Sequence, residues 1–549
     1  MIFNYKYSGS STVSSSANAT GVQFAPDTFR DPTFFIGKLN KHLPFREAIS
    51  ALHDVVVSDL RFKPKDKTEY KAWAAQQESI WLAEAMAGQG EVDRLVNEKR
   101  EELQQIRNQK GKVMGPFYKA QREYFNYLYK KDRDAWFVLD PVITVHPDEL
   151  FFECFSQDES TYGKLGCNYN VFKEINEFEC GTTNIDYSAA LYNEFQKIRD
   201  YKETSFEVDP SGFEVQTTNE DSYKEVKIDL PDSWVRGFLQ VSSAMTIAAR
   251  TFELAPMDVH NICFFLKRYK EKEGPRSIKF LLEPGKPVKL VIEPWNYELV
   301  CPRSIYQGPE KEEVRIWGRR RLLLLERLIP ISKKFTVTLL GSGLPSFYVA
   351  DLGDMNYTLG LSGWTANDWS RMGQFDLMAP RQSVDSLTQQ KIYTALKENW
   401  FETADSLASR LGLDKSVVLG ALSAFVQAGR AIYDMDKKVY RIRELSRESL
   451  PMEDLRFANE REAEANKLVN EGEVHTERSY EGSGYWIKGT VVHKGKTFHP
   501  QVFIDSDERI AKAVCDCNFY QQNKLRQGPC EHILAVRIAD NKKNEQLIV

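Results

Sequence analysis

The spacing of hydrophobic residues changes along the chain and predicts a different type of structure in each part. Between residues 69 and 131, apolar side chains recur at helical spacing, which predicts two or three helices within a helical region at residues 31–135. Farther on, short apolar runs of strand length alternate with helical stretches, which predicts a mixed α+β region at residues 136–380. Residues 1–30 are mostly small and polar, with a Ser-rich run, and we expect a flexible tail without chemistry of its own.

Several segments of the α+β region give more detailed expectations. Short apolar runs at residues 262–266, 277–282 and 288–292 predict strands. Residues 339–369 are rich in glycine and aromatic residues, which is typical of a sheet with tight turns. Three consecutive arginines at residues 319–321 are suited to phosphates, but arginines beside a helix are usually solvated, and we interpret them as surface charges.

Residues 383–446 have the order of elements of a winged helix. Helical periodicity predicts three helices that begin near Leu387, Thr403 and Asp414, and the latter two residues are good helix N-caps. Two short strands flank residues 436–437 and predict a hairpin, which forms the wing.

The third helix of this module is poorly equipped to read DNA. Groove binding needs arginine or lysine, and Lys415 is the only basic residue that we expect to point outward. The other outward positions are Ser416, Leu419, Gly420, Ser423 and Gln427. The wing leaves a phosphate contact open through four basic residues: Lys437, Lys438, Arg441 and Arg443. We therefore expect this module to dock a protein more readily than DNA.

Length, charge and cysteine content limit the class of protein. A chain of 549 residues is too long for one hydrophobic core, and 42% hydrophobic residues suffice for several packed domains. The net charge of -5 gives no global positive field, so any contact with nucleic acid has to be local. We find no apolar run near the roughly 20 residues of a membrane span, no secretory signal and no disulfide framework. We expect a multidomain α+β protein of the cytoplasm that does not contact membranes.

The C-terminal part contains side chains with metal-ligand spacing. A Cys-x-Cys pair follows a predicted antiparallel sheet, and a Cys-x-His pair precedes a predicted helix. Structural Zn²⁺ sites take four sulfur or nitrogen donors in a tetrahedron, and the two pairs complete that shell without water. We predict a structural zinc ion with the ligands Cys515, Cys517, Cys530 and His532. A catalytic zinc fits this set less well, because four protein donors leave no open position.

Other histidines and cysteines are less suited to a metal. His493 and His499 precede the ligands on predicted strands, where a histidine is usually solvent-facing or hydrogen-bonded. A second site would require four residues with long spacings, which we interpret as scattered structural side chains: His146, Cys154, Cys167 and Cys180.

The ligand pattern, with its strands ahead of Cys-x-Cys, resembles the SWIM zinc finger over residues 480–540. The larger layout, with the glycine-rich and aromatic segment at residues 344–369 ahead of the winged helix and the finger, is similar to bacterial SWIM zinc finger family proteins. The resemblance implies a ββ(β)α finger that binds DNA or protein. It also implies a MoxR-type AAA+ ATPase and a von Willebrand A-domain protein as partners.

Two functions from different classes fit these features. The first is a zinc-binding, non-enzymatic interaction protein whose finger and winged helix dock a protein partner or nucleic acid. The second is an enzyme with an unrecognised active site in residues 136–380 and accessory C-terminal modules that bind substrate. In residues 136–380 we find no Gly-x-Ser-x-Gly, His-Glu-x-x-His or phosphate-loop motif. We favour the first and expect no enzymatic activity. The residues that we expect to contact DNA, RNA or a protein partner are Lys524, Arg526, Arg537, Lys437 and Lys438.

Overall fold

The computed structural model describes residues 12–15, 19–24, 33–58, 141–184, 192, 195–201, 203–208, 232–270, 276–363, 369, 375–378, 384–445, 460–482, 484–506 and 508–548. All of them belong to one compact unit, which comprises residues 1–58 and 139–549. The helices predicted between residues 69 and 131 lie outside the described residues. Within the described ranges, no helix is long and apolar enough to cross a membrane.

A five-stranded sheet joins the start of the chain to residues near 200. Its strands are β1 (Thr12–Ser15), β2 (Ala19–Phe24), β3 (Phe34–Leu39), β7 (Phe172–Glu179) and β9 (Glu203–Val208). The order is β1-β2-β9-β3-β7, and β2 runs parallel to β9, whereas the other pairs are antiparallel.

This sheet corrects two expectations about the N-terminal part. The prediction of a flexible tail is wrong for residues 12–15 and 19–24, because their backbone N–H and C=O groups pair within the sheet. Residues 34–39 belong to the region predicted as helical, but they form β3. Alternate residues of β3, including Phe35 and Leu39, are buried, which is the period of a strand rather than of a helix.

An eight-stranded antiparallel sheet forms the centre of the described structure. Its strands are β4 (Val142–Val145), β5 (Glu149–Phe155), β6 (Thr161–Asn168), β8 (Gly181–Asn184), β10 (Arg250–Leu254), β15 (Lys334–Leu339), β16 (Ser346–Asp351) and β17 (Met355–Leu361). They are ordered β10-β15-β16-β17-β6-β5-β4-β8. The glycine-rich and aromatic segment forms β16 and β17, as predicted. Every residue of β5 and β17 is buried, which requires cover on both faces of the sheet.

Two helices provide that cover. Helix α1 (His42–Val56) packs Leu52 and its neighbours against one face, and helix α2 (Asp232–Met245) packs Phe238 against Phe155 on the other, with ring centroids 4.7 Å apart. At Gly163 of β6, an added Cβ would lie 3.3 Å from Leu52 and 3.0 Å from the hydroxyl of Tyr357. Glycine at this position therefore allows α1 to approach the sheet closely.

A four-stranded sheet and one helix lie beside this centre. The strands are β11 (Ile278–Leu282), β12 (Pro287–Ile292), β13 (Tyr297–Ile305) and β14 (Glu312–Ile316), in the order β13-β12-β11-β14. Helix α3 (Pro256–Arg268) contacts β13, and it contains residues 262–266, so the prediction of a strand there is wrong. A short apolar run does not distinguish a strand from a buried helix, whereas Pro256 and Asp258 in the first turn favour a helix.

Two of the three consecutive arginines are buried rather than solvated. Arg319 and Arg321 are each 3% exposed, and Arg320 is exposed. Arg319 donates hydrogen bonds to the carbonyl oxygens of Ser277, at 3.0 Å, and Glu293. The expectation of surface charges is therefore wrong for Arg319 and Arg321, which are both buried. Backbone acceptors distant in sequence satisfy the buried guanidinium of Arg319.

Residues 384–445 form three helices and a small sheet, and we call them the three-helix module. Its helices are α4 (Ser386–Asn399), α5 (Ala404–Leu411) and α6 (Lys415–Gln427), and its strands are β18 (Phe401–Glu402), β19 (Ala431–Asp434) and β20 (Val439–Ile442). The side chain of Thr403 accepts a hydrogen bond of 3.1 Å from the Ser406 N–H, so it caps α5 as expected. The interpretation as a winged helix stays a prediction.

The face of α6 that we expected to point outward is largely covered. Leu419, Ser423 and Gln427 are 5%, 3% and 8% exposed, and Gly420 is also buried. Helix α6 packs against α2, the helix that covers one face of the central sheet. The hydrophobic periodicity of α6 alone does not predict this contact. The expectation of an outward face is therefore wrong for these residues.

A buried network of charges attaches the hairpin β19–β20 to the central sheet. The guanidinium of Arg441 is 0% exposed, with nitrogen–oxygen distances of 2.8 Å to Asp148, 3.4 Å to Glu149 and 2.8 Å to Asp434. Lys437 adds ion pairs of 2.9 Å with Asp148 and 3.0 Å with Glu149. Burial alone would raise the pKa of Asp148, but hydrogen bonds and charges from Arg441 and Lys437 outweigh it and hold the pKa at about 2.

A second buried arginine extends this attachment. Arg443 is also 0% exposed, and it donates hydrogen bonds of 3.0 Å to Glu153 on β5 and 2.8 Å to Ser242 on α2. The expectation that Arg441 and Arg443 gather on an exposed wing is therefore wrong, since each pairs with a carboxylate about 290 residues earlier in the sequence.

Replacing Arg441 should destabilise the protein strongly. The Arg441→Met variant leaves three carboxylates without their shared cation, and losing one partner of a buried ion pair costs about 3–5 kcal/mol of unfolding free energy. Urea unfolding followed by tryptophan fluorescence measures this loss. The matched control is Lys397→Met, which removes an exposed ion pair with Glu444 and should cost no more than about 1 kcal/mol. Equal unfolding midpoints for the two variants would contradict the role of the network.

The network should also give the protein a specific acid sensitivity. The folded pKa of Asp148 is about 2, below the value near 3.9 of an unfolded chain, so its stabilisation is complete above pH ~4 and is lost as the pH falls towards 2. The Asp148→Asn variant should be less stable than the wild type at pH 7, with a flatter dependence of unfolding free energy on pH between about 4 and 2. The exposed substitution Asp405→Asn is the control, and an equal flattening in both variants would refute the assignment.

Candidate metal centre

The C-terminal part of the chain forms a sheet packed against a long helix. The strands are β21 (Val474–Glu481), β22 (Gly484–His493), β23 (Lys496–Phe498), β24 (Gln501–Ile504) and β25 (Ile510–Val514), and the helices are α7 (Glu460–Asn470), α8 (Asn518–Asn523) and α9 (Glu531–Ile548). The order is β21-β22-β24-β25, with β23 paired to the end of β22. At Gly489 an added Cβ would lie 2.2 Å from Val536, so glycine lets α9 approach the sheet. The sequence pattern did not predict β21, because most of its side chains are exposed and carry no hydrophobic alternation.

The four predicted zinc ligands come together between β25 and α9. Cys515 follows β25, Cys517 is the N-cap of α8, Cys530 precedes α9, and His532 lies in the first turn of α9. Their ligand atoms all lie within 4.8 Å of one another, and the Cys515 Sγ and His532 Nδ1 atoms are 3.9 Å apart. None of the four side chains is more than 4% exposed.

This arrangement fits a tetrahedral zinc ion. Zn–S and Zn–N bonds of about 2.3 and 2.0 Å place the donor atoms of a tetrahedron roughly 3.6–3.8 Å apart, close to the spacing in the cluster. Three thiols and one imidazole are the donor set of a structural site, and four protein donors leave no position for water. The cluster can therefore hold a metal but has no place where a substrate would bind to it.

The contacts within the cluster lower the pKa of two of its three thiols. Hydrogen bonds with Cys530 lower the pKa of Cys515 to about 7 and the pKa of Cys517 to about 5. The pKa of Cys530 is raised by the same contacts with Cys515 and Cys517. Because thiolates are the form that binds zinc, two of the three sulfurs are already favoured as anions by the geometry of the cluster.

Behind the cluster, His532 is held by a hydrogen-bonded chain of side chains. Its Nε2 atom lies 2.8 Å from Nδ1 of His493, and Nε2 of His493 lies 3.1 Å from a carboxylate oxygen of Glu464 on α7. His532 directs Nδ1 at the thiols, so its proton resides on Nε2 and is donated to His493. His493 in turn carries its proton on Nε2 and donates to Glu464. The chain fixes the tautomer and orientation of the ligand.

His493 lies near the ligands in the sequence, but the sequence did not predict that it contacts one of them. His493 and His532 are 39 positions apart, and nothing in the spacing indicates that their rings meet. His499 takes a different position, where it is exposed and pairs with Asp516 at 3.3 Å. Among the described residues, the clusters of metal-binding side chains are the four ligands and the overlapping trio His493, Glu531 and His532.

The predicted contact residues of the finger have different environments. Lys524 is exposed, with its ammonium 4.9 Å from the ring centroid of Tyr520, and Arg526 is partly exposed and packs beside Gly343. Arg537 is 4% exposed and donates to the backbone carbonyl of Glu508 at 2.7 Å. The expectation that Arg537 contributes to a contact surface is therefore wrong, because it faces the sheet inside the finger.

The two predicted contact residues of the hairpin also differ. Lys437 is engaged by Asp148 and Glu149 in the buried network. Lys438 lines a cleft of about 890 Å³ between the central sheet and the hairpin, and also a neighbouring cavity of about 320 Å³. Arg509 of the finger lines both, so three parts of the chain meet there. Whether Lys437 or Lys438 contacts a partner stays a prediction.

Comparisons with known proteins identify the C-terminal part. The family model of the SWIM zinc finger matches residues 501–540, which include all four ligands. Together with the Cys515, Cys517, Cys530 and His532 cluster, this match shows a SWIM zinc finger that holds Zn²⁺. No curated protein sequence matches the chain.

Similarity to solved structures is weak. The proliferating cell nuclear antigen of Entamoeba histolytica is 10% identical, with a TM-score of 0.29, over 41% of this chain and 89% of its own. The PCNA2-PCNA3 complex of Sulfolobus tokodaii has 11% identity and a TM-score of 0.29 over 44% of this chain and 95% of its own. The DNA polymerase sliding clamp of Bacillus subtilis has 12% identity and a TM-score of 0.29 over 42% of this chain and 57% of its own. At these scores the similarity supports no conclusion about this chain.

Removing the ring behind His532 should weaken zinc binding without abolishing it. The His493→Ala variant retains all four ligands but loses the acceptor that orients His532, and such losses typically reduce metal affinity by about 10- to 100-fold. Competition with a chromophoric chelator measures the affinity, and metal analysis should still find zinc at saturating concentration. The His499→Ala variant is the matched control, because it removes an exposed histidine of the same finger. Equal affinities in the two variants would show that the hydrogen-bonded chain does not support the ligand.

Proposed function

We propose, from the SWIM zinc finger at residues 501–540, that the protein is a non-enzymatic interaction protein in which zinc holds a docking module in shape. The observation that carries this proposal is the closed shell of four buried protein donors. A catalytic zinc needs an open coordination position for water or substrate, and this set of ligands provides none. The metal therefore supports a surface rather than a reaction.

The position of the cluster supports such a role. Its ligands connect β25, the short helix α8 and the start of α9, so one ion fixes the loop at residues 518–529 against the sheet. Arg461 of α7 holds the same loop through hydrogen bonds of 2.7 and 2.8 Å to the carbonyl oxygens of Gln527 and Pro529. Loss of zinc would release the loop that carries Lys524 and Arg526, the two predicted contact residues on the finger's surface.

A protein is the partner that we favour for the three-helix module. Its interpretation as a winged helix would suit DNA, but much of the face of α6 that would enter a groove packs against α2. Two of the four basic residues expected on the wing are buried in ion pairs. The resemblance to bacterial SWIM proteins suggests a MoxR-type AAA+ ATPase and a von Willebrand A-domain protein as partners. None of the eight cysteines forms a disulfide, which is compatible with the cytoplasm that we propose as the compartment.

The proposal predicts that zinc and partner binding are lost together. The double variant Cys530→Ser, His532→Ala removes two donors and should carry no zinc, whereas the wild type should carry one zinc ion per chain. Both proteins, tagged and purified, are incubated with native lysate, and zinc, bound protein and bound nucleic acid are quantified for each. A specific partner held by the wild type and lost from the variant is the expected result.

The control for this experiment is Cys180→Ser, which removes a partly exposed thiol outside the cluster. It should keep both the zinc and the partner. A partner that stays bound to the zinc-free variant would refute the role of the finger, and it would place recognition elsewhere in the chain.

A further inference from the structure

Exposed hydrophobic side chains are concentrated in one part of the described structure. Seven of the fifteen large ones lie between residues 257 and 305, on α3, on β13 and in the turns beside them. Soluble proteins rarely leave a contiguous apolar surface exposed unless it binds something. The seven are Met257, Phe264, Tyr269, Trp295, Tyr297, Val300 and Ile305.

Three of them share one aromatic surface built on Phe265. The ring of Phe265 stacks on Tyr269 and on Tyr297, with centroids 4.4 and 4.6 Å apart, and it therefore lies between them. The indole of Trp295 closes the group at 5.9 Å from Phe265 and 5.8 Å from Tyr269. Tyr269, Trp295 and Tyr297 are 45%, 37% and 48% exposed. We call these four side chains the ring cluster.

The aliphatic members of the exposed set lie elsewhere. Val300 is three residues from Tyr297 on the same strand, so it projects from the opposite face of the sheet. Ile305 pairs with Pro287, at the other end of the hairpin from the pair of Tyr297 with Ile292. Met257 begins α3, and the length of the helix separates it from Tyr269 by about 18 Å. The ring cluster is therefore an aromatic surface rather than part of a broad aliphatic patch.

Positive charge surrounds the ring cluster. Arg268 and Lys270 flank Tyr269 in the sequence, and both are exposed. Arg276 is exposed next to Ser277, whose carbonyl accepts a hydrogen bond of 3.1 Å from the Glu293 N–H, two residues before Trp295. Among the described residues of this stretch, Lys267, Arg268, Lys270 and Arg276 are all cationic and exposed.

A further cation lies against the cluster itself. The guanidinium of Arg319 is 5.1 Å from the ring centroid of Trp295 and orients the indole from its buried side. The carboxylate of Glu293, two residues before Trp295, already pairs with Arg315 and, at 3.3 Å, with Lys279. The surface thus combines exposed ring faces with cations whose charge is not cancelled by this carboxylate.

From this arrangement we propose that the ring cluster binds single-stranded nucleic acid. Bases stack on Tyr269, Trp295 and Tyr297, and phosphates pair with Arg268, Lys270 and Arg276. Stacking on aromatic side chains tolerates any base, and a basic border tracks the backbone, which is the combination used for single strands. A duplex hides its base faces, so it would meet only the cations. Protein interfaces also use aromatic residues and arginine, so a protein on the same surface is the competing outcome that the test below distinguishes.

This site lies outside the zinc finger and goes beyond the function proposed for it. It extends a docking protein with a second, sequence-tolerant surface, so that the chain engages a protein through the finger and a single strand through the ring cluster. The two proposals can be refuted independently, because separate variants test the finger and the ring cluster.

The test uses the full chain and two fluorescent probes, oligo-dT and mixed-sequence RNA of roughly 20 nucleotides, which exceeds the roughly 4–16 nucleotides of one such surface. Fluorescence anisotropy gives the affinity over a range of salt concentrations. The double variant Tyr269→Leu, Tyr297→Leu keeps apolar bulk but removes two rings, and it should weaken binding by roughly 5- to 150-fold for each ring. The variant Tyr269→Phe, Tyr297→Phe keeps the rings and should bind as the wild type does.

Charge is tested separately. The triple variant Arg268→Glu, Lys270→Glu, Arg276→Glu removes three phosphate contacts, and the slope of log affinity against log salt should fall by about 2. The matched controls lie at exposed positions outside the four-stranded sheet and α3 and should leave binding unchanged: Tyr201→Leu for the rings, and Lys391→Glu with Lys41→Glu for the charges.

Five outcomes would overturn the proposal. The first three are no binding of either probe by the wild type at low salt, equal binding of a duplex of the same length, and equal affinity of the leucine variant and its control. The fourth is loss of a lysate protein by the leucine variant while probe binding persists, which would make the cluster a protein-docking surface. If probe binding disappears in the Cys530→Ser, His532→Ala variant but persists in the leucine variant, the nucleic acid sits on the finger and the proposal also fails.

Discussion

The buried guanidinium of Arg441 is the constraint on which the arrangement of the three-helix module depends. A charge removed from water costs several kcal/mol unless partners surround it, and here Asp148, Glu149 and Asp434 supply that environment from two different parts of the chain. Because the carboxylates of Asp148 and Glu149 belong to the central sheet, the hairpin has to turn towards the sheet to satisfy them. The same docking places α6 against α2. The hairpin and much of the surface of α6 are therefore buried in contacts within this chain.

Zinc has the corresponding role in the C-terminal finger, but the residues that bind it are close together in the sequence. All four ligands fall within 18 consecutive positions, whereas the side chains that orient His532 come from β22 and α7. The ion therefore closes a small loop, and the chain of His493 and Glu464 connects that loop to elements that precede it. This explains how a finger with few apolar residues between its ligands has a defined orientation relative to its sheet.

The sequence was sufficient to predict features whose determining residues are close together in the chain. It was insufficient for features that depend on residues far apart in the chain. The zinc ligands, the helices of the three-helix module and the strands at residues 339–369 follow from local spacing and from the few donors that zinc accepts. The burial of Arg441 could not be predicted, because its partner Asp148 lies 293 positions earlier and an arginine on a short strand is usually solvated. The apolar run at residues 262–266 was misassigned because strand and buried helix share that pattern. The hydrogen bond between His493 and His532 could not be predicted, because no pattern in the sequence around either residue indicates it.

The parallel pairing of β2 with β9 has a consequence for synthesis. Residues 19–24 leave the ribosome about 180 residues before residues 203–208, and translation at roughly 5–20 residues per second makes this an interval of roughly 10–40 s. During that time the strand can use β1 but not β9. Unpaired strand edges promote association between chains, so nascent chains on neighbouring ribosomes are exposed to mispairing at this strand. The zinc site does not have this delay, since its four ligands emerge within a few seconds of one another.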